Sequence, residues 1–214
     1  MTVLTIGAEI EWSCSPKSGE QYSPVWKTKY DATIRGKYQA IEFITSLNHL
    51  WKIDTKNPNP GIEKACADFK KLVDSMNKID VNTSQGLHFH VSGFKKKHVL
   101  YSKEFYDELI NEYKAKATTK LEKARIDTRY ARFRYDQQER YRAINYVGAW
   151  RKQNTFEFRF FPSTKKVSEF RKYLKMLVKH IRRVENYKVK LDRIDGMDEE
   201  QSAKDEINFE DILF

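Results

Sequence analysis

Hydrophobic positions along the chain change period several times, and the changes mark out its elements. Residues 2–13, TVLTIGAEIEWS, alternate well enough for a β-strand, in which residues i and i+2 share a face. After a polar stretch around SPKSGEQYSP, residues 38–45, YQAIEFIT, read as a second strand. NPNPG at 57–61 breaks the chain, and from Ile62 the set Ile62, Ala65, Cys66, Phe69, Leu72, Val73 and Met76 recurs at helical spacing. GLHFHVS, residues 86–92, returns to alternation, with Leu87, Phe89 and Val91 on one face and His88 and His90 on the other. A helix is predicted near 103–117, with Leu109, Ile110 and Tyr113 on its apolar side. Residues 143–150 and 155–161 resemble two strands joined by RKQN. A last helix, from about 166 to 186, carries Val167, Phe170, Leu174, Leu177, Val178, Ile181 and Val184 as its buried stripe. These stripes predict core.

This order of elements gives an α+β fold, a mainly antiparallel sheet with helices covering one face. One domain over residues 1–189 is expected, followed by an acidic tail at 190–214 that ends DGMDEEQSAKDEINFEDILF. At 214 residues the chain is long enough to bury a substantial core, and with 40% hydrophobic and 33% charged residues it reads as soluble and globular. It contains no apolar run of about 18 residues that would cross a membrane. The opening MTVLTIGAEIEW lacks the basic-then-apolar order of a secretory signal. Cys14 and Cys66 are the only cysteines, without the spacing of a zinc site or a disulfide framework, so the cytoplasm is the expected compartment. The net charge of +10 favours anionic partners such as nucleotides, acidic substrates or nucleic acid.

Three strands share a design that a solvated sheet face does not need. Glu9 and Glu11 share one face of the first, opposite Ala8, Ile10 and Trp12. His88 and His90 share a face of the histidine strand, and in TFEFRFF Glu157 and Arg159 lie opposite Phe156, Phe158 and Phe160. Glu42 stands between Ile41 and Phe43. Cross-strand Glu–Arg pairs are ordinary decoration of a half-exposed sheet. Four carboxylates on one side, however, repel each other without a cation between them. Hard oxygen ligands with imidazole suit Mg²⁺ or Mn²⁺, the ions that accompany nucleoside triphosphates. No glycine-rich phosphate loop and no recognisable Ser or Cys nucleophile is present.

A further constellation, RYARFRYDQQERYRAINY at 129–146, sets Arg129, Arg132, Arg134, Arg140 and Arg142 among tyrosines. Such a segment binds single-stranded nucleic acid by phosphate contact and base stacking, clamps the phosphates or carboxylate of a small molecule, or forms a solvated basic face.

GAEIEW, YDATIRGKYQAIEFIT, GLHFHVSG and RYRAINYVGAWRKQNTFEFRFFPST, in that order, resemble the motifs of the amidoligase family. That family belongs to the carboxylate–amine ligases related to glutamine synthetase and glutamate–cysteine ligase. The resemblance implies a curved antiparallel sheet that forms a funnel for ATP and divalent ions. It assigns Glu9, Glu11, Glu42, His88 and Glu157 to metal, and His90 and Arg159 to phosphate. Arg140, Arg142 and Asn145 fall near phosphate or substrate, and Asp31 is matched to an acid that contacts the amine. Members often have Gly before the final Thr, where this chain has Ser163 before Thr164. The implied activity is ATP-dependent amide-bond formation through an acyl phosphate, with the carboxylate, the amine and the oligomeric state left open. The competing expectation is a basic nucleic-acid-binding module without catalysis. A third joins the two, a ligase that modifies nucleic acid or protein side chains.

Overall fold

A computed structural model of the chain describes residues 2–18, 23–93, 103–126, 143–145 and 155–186. One eight-stranded sheet organises them, in the order β2 (Trp26–Tyr30), β3 (Gln39–Thr45), β1 (Val3–Pro16), β6 (Gly86–Ser92), β8 (Phe156–Pro162) and β7 (Ile144–Asn145). Every pairing is antiparallel. β1 is long enough to take two partners along each edge. Its residues 9–14 pair with β3 and its residues 3–6 with β4 (Trp51–Asp54). On the other edge residues 5–10 pair with β6, and the end of the strand pairs with β5 (Met76–Asp80).

The expected alternation decides the faces. Leu4, Ile6, Ala8, Ile10, Trp12 and Cys14 of β1 are all buried, as are Leu87, Phe89 and Val91 of β6. Against this face pack α1 (Asn59–Asp74) and α4 (Val167–Asn186), whose Phe69 and Phe170 rings stack 4.3 Å apart. Phe170 also meets Phe89 and Trp51, and Trp12 meets Phe69. Truncating a ring buried this deeply to alanine typically costs about 3–5 kcal/mol. α2 (Lys103–Lys116) lies beside α4, joined by Glu112 contacts to Lys179, His180 and Arg183, while its Tyr113 packs on Phe160 and Phe161.

The α+β fold and the antiparallel sheet agree with the expectation. Boundaries moved where local chemistry intervened. NPNPG does not precede α1 but starts it, because Pro60 sits in the first turn, where a missing N–H leaves no helical hydrogen bond unmade. α3 (Lys120–Arg125) was not expected, and its signal is short: Thr119 and Glu122 form a reciprocal capping box. β2, β4 and β5 were also missed. In WKTKY only Trp26 is buried, so alternation carries little information on an edge strand. Of the expected 143–150 strand only 143–145 are described; residues 146–150, the RKQN turn and the acidic tail lie outside the described residues. No helix among the described residues is long and apolar enough to cross a membrane.

Candidate functional site

The face of the sheet opposite the core carries the acids and histidines, and register brings them together. Glu9 lies opposite His88, Glu11 opposite Glu42, and His90 opposite Glu157. Side chains on neighbouring strands at matched positions are within reach of each other. β6 and β8 slip by one residue between Leu87 and Phe89, so that His88 faces both Arg159 and Phe160. This bulge turns Phe160 and Phe161 into the core together, which strict alternation does not allow, and leaves Arg159 on the polar face.

His88 is fully buried and stands at the centre. Its Nδ1 is 3.0 Å from Glu9 Oε1 and 3.4 Å from Glu157 Oε1, and its Nε2 is 3.8 Å from Glu11 Oε1. His90 Nε2 is 3.3 Å from Glu9 Oε2. Arg159 donates through Nη1 to Glu157 Oε1. Among the described residues two groupings have the spacing of metal ligands: Glu9, Glu11 and His88, and Glu9, His90 and Glu157. Glu9 belongs to both. His90, assigned by the resemblance to phosphate, thus joins a ligand set as well. Glu42 belongs to neither, but lies beside them across from Glu11.

Electrostatics follow from this crowding. Burial alone would raise the pKa of Glu9, yet attraction to His88 and hydrogen bonds from His88 and His90 hold it well below the usual carboxylate range. Burial disfavours the charged form of His90, but its hydrogen bond to Glu9 and the charges of Glu157 and Glu9 push its pKa up. Glu42 is pushed up to about 7, first by burial and then by Glu9, with Asp31 and Glu11 adding and Lys29 opposing. Burial leads this shift, and the neighbouring carboxylates add to it because Lys29 offsets them only in part.

Backbone contacts fix the frame. Gly86 N donates to Glu11 Oε2 at 2.6 Å, and the Ser163 hydroxyl donates to the Glu11 carbonyl at 2.8 Å. The Ser that replaces the expected Gly therefore ties the end of β8 to β1. Asp31 lies in the turn after β2, where its carboxylate accepts from Thr33 N at 2.8 Å and from the Thr33 hydroxyl at 2.7 Å. It is near enough to Glu42 to raise its pKa. Asn145 is in β7, opposite Glu157. Arg140 and Arg142, with most of the arginine-rich segment, lie outside the described residues. Sequence reasoning missed Arg125, which α3 buries beside His88 with Nη2 3.4 Å from Nε2. The available signal was the Thr119–Glu122 cap. No protein-family profile matches the chain, and no curated protein or solved structure matches it significantly.

Proposed function

We propose that the protein is an ATP-dependent carboxylate–amine ligase whose polar sheet face holds Mg²⁺ or Mn²⁺ and nucleotide in a core like that of glutamine synthetase and glutamate–cysteine ligase. The observation that carries this reading is the convergence of Glu9, Glu11, His88, His90 and Glu157 from three neighbouring strands into two ligand sets sharing Glu9. The donor chemistry fits the ion. Carboxylate oxygens with imidazole are hard-to-borderline ligands, and Glu11 and Glu157 are held on a face where burial makes uncompensated charge costly. The order of the four sequence motifs adds the ligase chemistry to the metal centre.

In this reading Glu9, Glu11, Glu42, His88 and Glu157 hold the metal, and a bound divalent ion supplies charge neutralisation between two anionic reactants. A carboxylate oxygen of the substrate bonds to the γ-phosphorus of ATP while the bond from that phosphorus to the ADP oxygen breaks. The amine nitrogen then adds to the acyl carbon, the bond from that carbon to the phosphate oxygen breaks with its electron pair going to phosphate, and the proton lost by nitrogen passes to the departing phosphate or to water. His90 binds phosphate, and Arg159 stabilises charge that develops on the transferred group, where a positioned donor contributes most. Asp31 contacts the amine, and Arg140, Arg142 and Asn145 bind phosphate or substrate.

The test is phosphate release from ATP with Mg²⁺, measured across panels of carboxylates and amines that include amino acids, peptides and oligonucleotides. Release that requires a carboxylate and an amine together and stops with EDTA is expected. Salt-sensitive nucleic-acid binding without ATP turnover overturns the reading in favour of a binding module.

A further inference from the structure

Arg125 is the last residue of α3, is 1% exposed, and points its guanidinium at the acidic centre. Nη2 is 3.4 Å from His88 Nε2 and donates to the Arg159 carbonyl at 3.2 Å. Gly86 leaves the space it occupies, since a Cβ there would meet both Arg125 Nη2 and His88 Nε2. Glu11 borders the same edge of the ring, 3.8 Å from Nε2, and is fixed by Gly86 N. A guanidinium only donates, so a hydrogen bond between the two is one that His88 Nε2 accepts, while Nδ1 on the other edge of the ring faces Glu9 at 3.0 Å.

The helix that carries Arg125 is anchored independently of the site. Thr119 and Glu122 cap it reciprocally, and Glu122 is bonded to Lys172 of α4 at 2.6 Å. A buried cation is retained where opposite charge surrounds it. Here the carboxylate nearby is Glu11, whose Oε1 lies 3.8 Å from the same His88 nitrogen that Arg125 approaches, on a face that a divalent ion would otherwise have to neutralise.

We propose that Arg125 is a built-in counter-ion of the acidic centre: it supports the cluster when no divalent ion is bound and holds down the affinity for one. The second half rests on the reading of the cluster as a metal centre; the first does not. Arg125 acts here as a positioning residue, through His88 and the carboxylates, and touches no substrate.

The experiment uses the full chain with Arg125→Met, which keeps length without charge, and Arg125→Lys, which keeps charge. Mn²⁺ binding is followed by the loss of free-ion EPR signal, and melting is followed in EDTA. Arg125→Met should melt lower in EDTA and bind Mn²⁺ tighter by on the order of tenfold or more, because a like charge has left the low-dielectric site. Arg125→Lys should stay near wild type in both. Mn²⁺ binding that is unchanged or weaker in Arg125→Met overturns the control of affinity. A metal-free arm decides the counter-ion role alone. In EDTA, Glu11→Gln should lower the melting temperature of wild type but raise that of Arg125→Met, by removing an uncompensated charge. The same direction in both backgrounds overturns it. An Arg125→Met chain too unstable to melt is judged by whether adding Glu11→Gln restores folding. Absence of Mn²⁺ binding by wild type counts against the metal reading, while the reversal of sign still judges Arg125.

Discussion

Replacing Gly86 by alanine adds one methyl group between His88 and Arg125, and two opposing effects set the result. In a strand interior Gly→Ala ordinarily gains stability, roughly 0.5–1 kcal/mol, by restricting the unfolded chain. Here the new Cβ would lie 2.6 Å from His88 Nε2 and closer still to Arg125 Nη2. Neither group has room to retreat. The His88 ring is fully buried, with its other edge against Glu9 at 3.0 Å and Glu157 at 3.4 Å. Arg125 is 1% exposed and tied to the Arg159 carbonyl. Overpacking of this kind costs about 1–3 kcal/mol, so a net loss is expected. For a domain of this size each kcal/mol lowers Tm by about 2–4 °C. The assay is thermal melting and urea unfolding of wild type and Gly86→Ala in EDTA. A variant as stable as wild type, or more stable, refutes the close packing of His88 and Arg125 at this position.

Other expectations follow from single contacts. Glu122→Gln weakens the acceptor for Thr118 N and Thr119 N, both at 2.9 Å, and discards the charge paired with Lys172; unfolding in urea should show a loss of about 1–2 kcal/mol. Arg159→Lys keeps the charge but loses the planar fork, and should cut ATP turnover by on the order of a hundredfold while the melting temperature hardly moves. Acid should act in two destabilising stages, the first of them opposed by Glu42, whose pKa, raised to about 7, adds stability as pH falls from 7 toward 4.5. Burial lowers the pKa of His180 to about 4 from its ordinary 6.5, so the unfolded chain takes up that proton first, and stability falls as pH drops from 6.5 toward 4. Burial opposes but does not overcome pairing of Glu112 with Lys116 and of Glu122 with Lys172, which hold both acids at about 2 against an ordinary 4.5, so stability present above 4.5 is lost below it. The difference in melting temperature between wild type and His180→Gln, followed against pH, checks the first stage, and the wild-type profile below 4.5 checks the second.

The long alternating and helical stretches were legible because burial is one-sided there. Trp12, Phe89 and Phe170 fall on the faces that period alone assigns. The pairing of Glu9, His88 and Glu157 across strands was also foreseeable as a shared face, though not as a register. The bulge opposite His88 was not, since alternation through FRFF turns Phe160 inward and Phe161 outward, whereas pairing with β6 buries both. Short elements escaped for a related reason. WKID and MNKID hold too few positions to show a period, and α3 reveals itself only through a cap. Arg125 looks like any basic residue at a helix end, and its depth depends on Gly86, distant in sequence. Glu42 shows the limit of reading by face, because it shares the side of the ligands without entering either set.

In the proposed reading the polar face binds a divalent ion through groups sharing Glu9, and Mn²⁺ titration followed by EPR decides whether it does. Wild type should take up Mn²⁺ and release it to excess Mg²⁺. Glu9→Gln, which removes a ligand from both sets, should weaken binding by on the order of a hundredfold, within or above the range found when even supporting groups of a metal site are lost. Glu63→Gln, a change in an acid that pairs with Arg171 on α4, should bind like wild type. Uptake that is absent in wild type, or equal in wild type and Glu9→Gln, contradicts a divalent-ion site on this face.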